Sequence, residues 1–187
     1  LYPGITKFYD KVQAAIESSR WQTQLFEPFP DKAGSAQLGK GEWIAPTGTR
    51  YVFTEKPSAA FVRKRTGTDT SFYRPHIQNY PVQGTGGEMV QIILGKLIRH
   101  FLANDNYGGK AFLVNTVHDC VWFDCHKDVV QQVIAECSAI MESIPEVYNA
   151  LFPNMNITVP FRVEAEVGDD MMTMSHLHSY MEKKQWL

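Results

Sequence analysis

The chain has 187 residues, enough for one domain with a sizeable core or for two small ones. Its hydrophobic content of 44% and charged content of 20% are those of an ordinary globular protein, and a net charge of −2 excludes a polycation. No apolar run approaches the roughly 20 residues that span a bilayer, so no membrane partner is expected, and no secretory signal opens the chain.

Pro3 precedes a helical pattern with Ile5, Phe8, Val12 and Ile16 on one face. Residues 41–54, GEWIAPTGTRYVFT, read as two short strands around Thr47-Gly48. Residues 55–71 are polar and basic and predict an exposed loop. Between Arg50 and Arg74 six basic residues (Arg50, Lys56, Arg63, Lys64, Arg65, Arg74) stand against two acidic ones, Glu55 and Asp69. Such a local excess can track phosphates even on a neutral protein, and it is equally what a solvated surface loop carries. Pro75 and Pro81 exclude a regular helix up to about Gly84. Thr85 and Glu88 have the spacing of a capping box. A helix should follow, burying Met89, Ile92, Ile93, Leu97 and Phe101. Gly86 and Gly87 in its first turn suit close approach by another backbone or a ligand.

The segment FLVNTVHDCVWFDC, Phe112 to Cys125, has strand-like residues on both sides of His118-Asp119. Two strands there make a hairpin with this pair at the turn. A carboxylate so placed projects from the end of a rigid sheet and can hold a metal ion. It can equally be a plain turn residue, since aspartate is common in turns. Lys127 to Ser143 reads as an amphipathic helix with Val129, Val130, Val133, Ile134, Cys137, Ile140 and Met141 on its apolar face. Ile157 to Val167 alternates as a strand does. The segment from Glu164 to Asp170, which overlaps its end, is acidic, with Glu164, Glu166, Asp169 and Asp170 and no base. Met171, Met172 and Met174 read as gap-filling packing. The order of elements predicts an α+β fold with a largely antiparallel sheet.

Cys120, Cys125 and Cys137 are odd in number and not densely spaced, which points to a reducing, cytoplasmic setting. Cys120, Cys125, His118 and His126 can be imagined as a zinc site. Strand alternation sends Cys120 and Cys125 to opposite faces, and structural zinc sites use tighter pairs.

Two segments taken together carry a resemblance. NYPVQGTGGE (Asn79 to Glu88), followed by TVHDCVWFD, resembles the C-terminal palm region of family A DNA polymerases, the bacterial DNA polymerase I class and its phage relatives. That family has an Asn-x-Pro-x-Gln-Gly-Thr stretch, then a Val-His-Asp-Glu hairpin called motif C. A helix often opening with His-Lys-Asp comes next, here His126-Lys127-Asp128. YPGI (Tyr2 to Ile5) and TVPFRVEAEVG (Thr158 to Gly168) resemble further family segments in the same order.

The resemblance implies an antiparallel palm sheet whose motif C hairpin packs against helices. Residues 1–71 would come from the fingers/palm junction and residues 72–187 from the palm. Asp119 would be one of two catalytic aspartates that hold Mg2+ in a two-metal site, and the second would lie outside this chain. His118 would lie near the primer terminus. Asn79 and Gln83 would face the template-primer, where an amide can sense minor-groove acceptors common to all base pairs. Arg74, Arg63, Lys64 and Arg65 would bind phosphates. The implied partners are template-primer DNA, a deoxynucleotide, and an upstream polymerase segment or a separate polymerase chain.

Three departures stand out. Cys120 replaces the usual glutamate after His-Asp, Glu88 replaces an aspartate, and Arg74 is five residues before Asn79 where the family arginine is four before. No segment resembles the family's first metal aspartate (motif A) or its nucleotide-gripping Arg/Lys/Tyr helix (motif B). Leu1 also stands where a complete chain has Met. These features predict the C-terminal part of a polymerase, either a fragment or one chain of a split enzyme. Alone it should be inactive, with apolar surface left uncovered. Other readings are a non-catalytic nucleic-acid-binding or assembly module with a palm fold, a phage-type RNA polymerase fragment, and a His-Asp metal phosphohydrolase.

Overall fold

The computed structural model describes residues 2–176. Helices and antiparallel strand pairs mix along the chain, an α+β arrangement. There are two compact units, Leu1–Thr85 and Gly86–Leu187, and the boundary between them falls inside a long helix.

The first unit is a helix on a four-stranded sheet. Helix α1 (Pro3–Ser18) starts at Pro3, where a missing N–H costs nothing. Strands β1 (Trp21–Pro28), β2 (Ser35–Ile44), β3 (Arg50–Pro57) and β4 (Thr70–Phe72) pair in chain order. The β2–β3 hairpin is the one its sequence predicts, only longer, and Gly48 takes the positive φ its turn needs. Of the predicted stripe on α1, Val12 and Ile16 are buried, while Ile5 and Phe8 are exposed. Helix and sheet meet at Gly41, where a Cβ would sit 2.2 Å from the Ile16 carbonyl oxygen. Only glycine permits that approach.

The predicted loop over residues 55–71 is not a loop. It holds the end of β3, helix α2 (Ala60–Thr66) and β4. Glu55 is 4% exposed. Its carboxylate accepts from Arg20 Nε (2.7 Å) and Nη2 (2.8 Å), from the Gly39 N–H (2.6 Å) and from Thr70 Oγ1 (2.9 Å). One carboxylate thus ties together the chain entering β1, the middle of β2, β3 and β4. Burial pushes the Glu55 carboxyl up, but the bonds from Arg20, Gly39 and Thr70 outweigh it and hold it below the ordinary 4.5. A carboxyl lowered in the folded state contributes stability above its unfolded value and loses it as pH falls through the folded one. Glu55→Gln should therefore lower stability by about 2 kcal/mol at pH 7. Melting curves between pH 7 and pH 3 should show the gap between variant and wild type closing in acid.

The second unit is a hairpin packed on helices. Helix α3 (Arg74–Ala103) supplies Ile93, Leu97 and Phe101 to its core, as predicted. Strands β5 (Ala111–Val117) and β6 (Cys120–Cys125) follow a single left-handed turn, α4 (Asp105–Gly109). Helices α5 (Val130–Glu142) and α6 (Ile144–Leu151) complete the core with Val133, Cys137, Ile144 and Tyr148. Strands β7 (Glu166–Val167) and β8 (Ser175–His176) form a small separate pair.

Four further predictions are corrected here. The helix does not wait for Gly84 but starts at Arg74. Pro75 lies in its first turn, where no hydrogen bond is lost, and Pro81 forfeits one bond inside it. Burial of Ile77 beside Val12, Ile16 and Phe53 compensates. Thr85 is consequently mid-helix and makes no cap; its Oγ1 donates to the Pro81 carbonyl at 2.7 Å. Of the strand predicted over Ile157 to Val167, only Glu166–Val167 pairs in a ladder. The rest joins no ladder, and two of its residues bond to side chains instead. Asn149 grips the Ile157 N–H and C=O at 2.8 and 2.9 Å, and the Val163 N–H donates to Glu142 at 3.2 Å. Met171 and Met172 fill no gap, since both are exposed.

Candidate functional site

The hairpin sets the geometry of the candidate site. Val117 pairs with Cys120, which leaves His118-Asp119 as a two-residue turn. The inner face of the hairpin (Leu113, Val121, Phe123, Cys125) packs on the helical core. Phe123 stacks on Phe101 of α3 with centroids 5.5 Å apart and planes 10° from parallel. A lone two-stranded hairpin is marginal in water, so this packing is what makes the turn a fixed point. His118 has φ 56°, in the left-handed region. A non-glycine residue there costs roughly 1–2 kcal/mol, which the paired strands must sustain. Asp119 and His118 are both exposed. Among the described residues neither side chain has a hydrogen-bond or ion-pair partner, so the carboxylate oxygens of Asp119 are available to an external group.

The base of the hairpin is braced. Lys110 pairs with Asp128 at 3.1 Å, and the His126 N–H donates to the Lys110 carbonyl at 2.7 Å. Just before it, Asp105, Asn106, Tyr107, Gly108 and Gly109 run through positive φ in succession. Asp, Asn and Gly tolerate that region, but tyrosine needs holding. The Tyr107 hydroxyl donates to Glu136 at 2.7 Å, and His100 Nε2 lies 2.8 Å from that hydroxyl and 2.9 Å from Glu136. Burial, then the bond to Glu136, raise the Tyr107 pKa. The same bond holds the Glu136 carboxyl below its usual range.

Magnesium takes oxygen ligands and keeps several waters, and a free carboxylate suits it. Among the described residues no group of three His, Cys, Asp or Glu could hold a metal ion. Asp119 by itself is one oxygen-donor group and not a complete site. A zinc arrangement fits less well. Burial pushes the Cys125 thiol up to about 11, away from the thiolate that zinc needs. Cys120 is exposed while Cys125 lies in the core face, on opposite sides as alternation requires.

The remaining predicted residues lie in the first unit. Asn79 and Gln83 share one face of α3 at i, i+4 spacing. Both are exposed, and neither amide has a partner among the described residues. Arg74 opens the same helix and is exposed. The basic cluster of α2 is not uniform. Lys64 and Arg65 are exposed without ion-pair partners among the described residues, whereas Arg63 is held by both carboxylate oxygens of Asp31, at 2.9 and 2.7 Å, and by the Ser58 carbonyl. Close approach falls on Gly84 and not on Gly86 or Gly87. A Cβ on Gly84 would meet the Tyr51 hydroxyl at 2.1 Å, and one on either other glycine would meet nothing. Sequence reading also missed a column of rings from Tyr73 through His76 and Tyr80 to Phe53. Its signal is the aromatic spacing i, i+3, i+7, visible only once the segment is read as helical.

Phe112, Val114 and Val117 of the hairpin are exposed. The buried Trp122 Nε1 has no hydrogen-bond partner among the described residues. Among the described residues no helix is long and apolar enough to cross a membrane.

No family model and no solved structure matches the chain. Among curated proteins, the DNA polymerase of Bacillus phage SP01 is 36% identical over 90 residues, which is 48% of this chain and 9% of that protein. The chain is thus related in sequence to a phage DNA polymerase, of which the shared region spans about a tenth.

Proposed function

We propose that the chain is the C-terminal palm part of a family A, phage-type DNA polymerase and supplies one metal-binding carboxylate, Asp119, to nucleotidyl transfer. The observation that carries this reading is a free, exposed carboxylate at the fixed tip of a packed hairpin, in a chain related to a DNA polymerase. Residues 72–187 are the palm segment in this reading, and residues 1–71 the junction with the fingers. When bound, magnesium ions would stabilise the attacking and leaving oxygens of the transfer. The second aspartate and the helix that grips the nucleotide come from outside this chain.

Each residue then has a physical role. Asp119 is the ligand. His118, fixed beside it by the turn, meets the backbone at the primer terminus. Asn79 and Gln83 offer amides to minor-groove acceptors, which tests pair geometry without reading sequence. Arg74, Lys64 and Arg65 are free to neutralise phosphates. Arg63 serves mainly to hold Asp31 and Ser58. Cytoplasmic work on template-primer DNA and deoxynucleotide completes the proposal.

A second reading is a non-catalytic palm-fold module that binds nucleic acid. It keeps the same hairpin and exposed cations and asks no metal of Asp119. Asp119→Ala, made in the polymerase completed by the missing segments, separates the two. Loss of nucleotide incorporation with DNA binding kept supports the enzyme, and unchanged incorporation overturns it. The phosphohydrolase reading fares worse, because His100 is engaged with Tyr107 and Glu136.

A further inference from the structure

Four rings form a column that runs from the core of the first unit to its surface. Phe53 is 3% exposed. Tyr80 stacks on it with centroids 5.5 Å apart and planes 21° from parallel. His76 stacks on Tyr80 at 4.8 Å and 15°. Tyr73 meets His76 edge-on at 4.9 Å and 86°. Tyr80 is 40% exposed and Tyr73 47%. The column is anchored at one end and open at the other.

The charge around its open end is a second, independent observation. Of the six cations between Arg50 and Arg74, Arg50 pairs with Glu42 and Arg63 with Asp31. Lys56, Lys64, Arg65 and Arg74 have no carboxylate partner among the described residues. Lys56 Nζ lies over one face of the Tyr73 ring, 5.3 Å from its centroid, which leaves the opposite face for a ligand. Arg74 follows Tyr73 directly in the chain. The exposed ring thus has one unneutralised cation over it and a second as its neighbour in the chain.

We propose that Tyr73 is a stacking platform for an unpaired base of single-stranded nucleic acid, with Lys56 and Arg74 on the flanking phosphates. An aromatic face takes any base, and adjacent cations track the backbone. Duplex bases have their faces covered, so the ligand is a single strand, such as template ahead of the primer. Anchoring through His76 and Tyr80 to Phe53 fixes the ring in advance, so less freedom is lost on binding. This inference rests on the reading of the chain as part of a DNA polymerase.

The test is fluorescence anisotropy with the 187-residue chain and two short single-stranded oligonucleotides of equal length and charge, one of thymidines and one carrying abasic sites. Stacking is worth about fivefold or more in affinity per base. Wild type should bind the thymidine strand at least about fivefold more tightly than the abasic one. Tyr73→Ala should abolish that preference, and Tyr73→Trp should keep it. Equal binding of both strands by wild type, no binding of either, or an equal loss on both strands in Tyr73→Ala overturns the proposal. The wild-type comparison needs no variant to fold. Such a result leaves the Asp119 reading standing, because that reading is judged by nucleotide incorporation and not by single-strand affinity.

Discussion

Replacing Asp119 with alanine should cut nucleotide incorporation by the completed polymerase by about a thousandfold or more, while template-primer affinity changes by less than about threefold. A metal ligand acts on charge that develops in the transition state, and several kcal/mol of barrier go with it. DNA binding depends instead on phosphate contacts spread over many residues. Folding should be untouched. Asp119 is exposed, sits in a turn, and makes no internal bond among the described residues. The check is single-nucleotide incorporation alongside a binding curve on the same template-primer. A variant that loses binding and incorporation together would assign Asp119 to docking and not to chemistry.

The second large effect is on stability. Tyr148 is 0% exposed at the centre of the core of the second unit. Its hydroxyl donates to Glu88 of α3 at 2.7 Å, and its ring packs on Phe152 at 4.8 Å. Tyr148→Ala opens a cavity and should cost about 3–5 kcal/mol. Tyr148→Phe keeps the ring and should lose the hydroxyl's bonding, the bond to Glu88 included, about 1.5–3 kcal/mol. Denaturant unfolding of both variants measures the difference. The hairpin rests on this core, so Tyr148→Ala should also weaken activity of the completed enzyme without touching the turn. Equal losses for the two variants would mean that the hydroxyl and not the ring carries the stability.

The hairpin and its turn were legible in the sequence because the pattern is local. Two β-branched runs on either side of a polar pair leave few alternatives. The helix over residues 74–84 is not, because the cost of a proline depends on its place in a helix, which the local sequence leaves open. Pro75 falls where it costs nothing, and the penalty at Pro81 is met by burial of Ile77 that only the fold reveals. Reading that stretch as non-helical also hid the aromatic column. The elements over residues 55–71 are hidden for a different reason. Their charges suggest solvation, but the partner that lets Glu55 be buried is Arg20, 35 residues away. Pairing at that distance leaves no local mark. In Ile157 to Val167 the alternation is there, yet alternation tells which residues share a face and not whether a neighbouring strand exists. Whether Asp119 has a metal-binding counterpart is likewise beyond local pattern, since the counterpart is expected outside the chain.

The most direct test of the account is primer extension by residues 1–187 alone and by the same chain completed with the polypeptide that carries the second aspartate and the Arg/Lys/Tyr helix. One carboxylate cannot organise a two-metal site. The account predicts no extension by the chain alone and magnesium-dependent extension once it is completed. Extension by the purified chain alone, or none from the completed assembly, would contradict it.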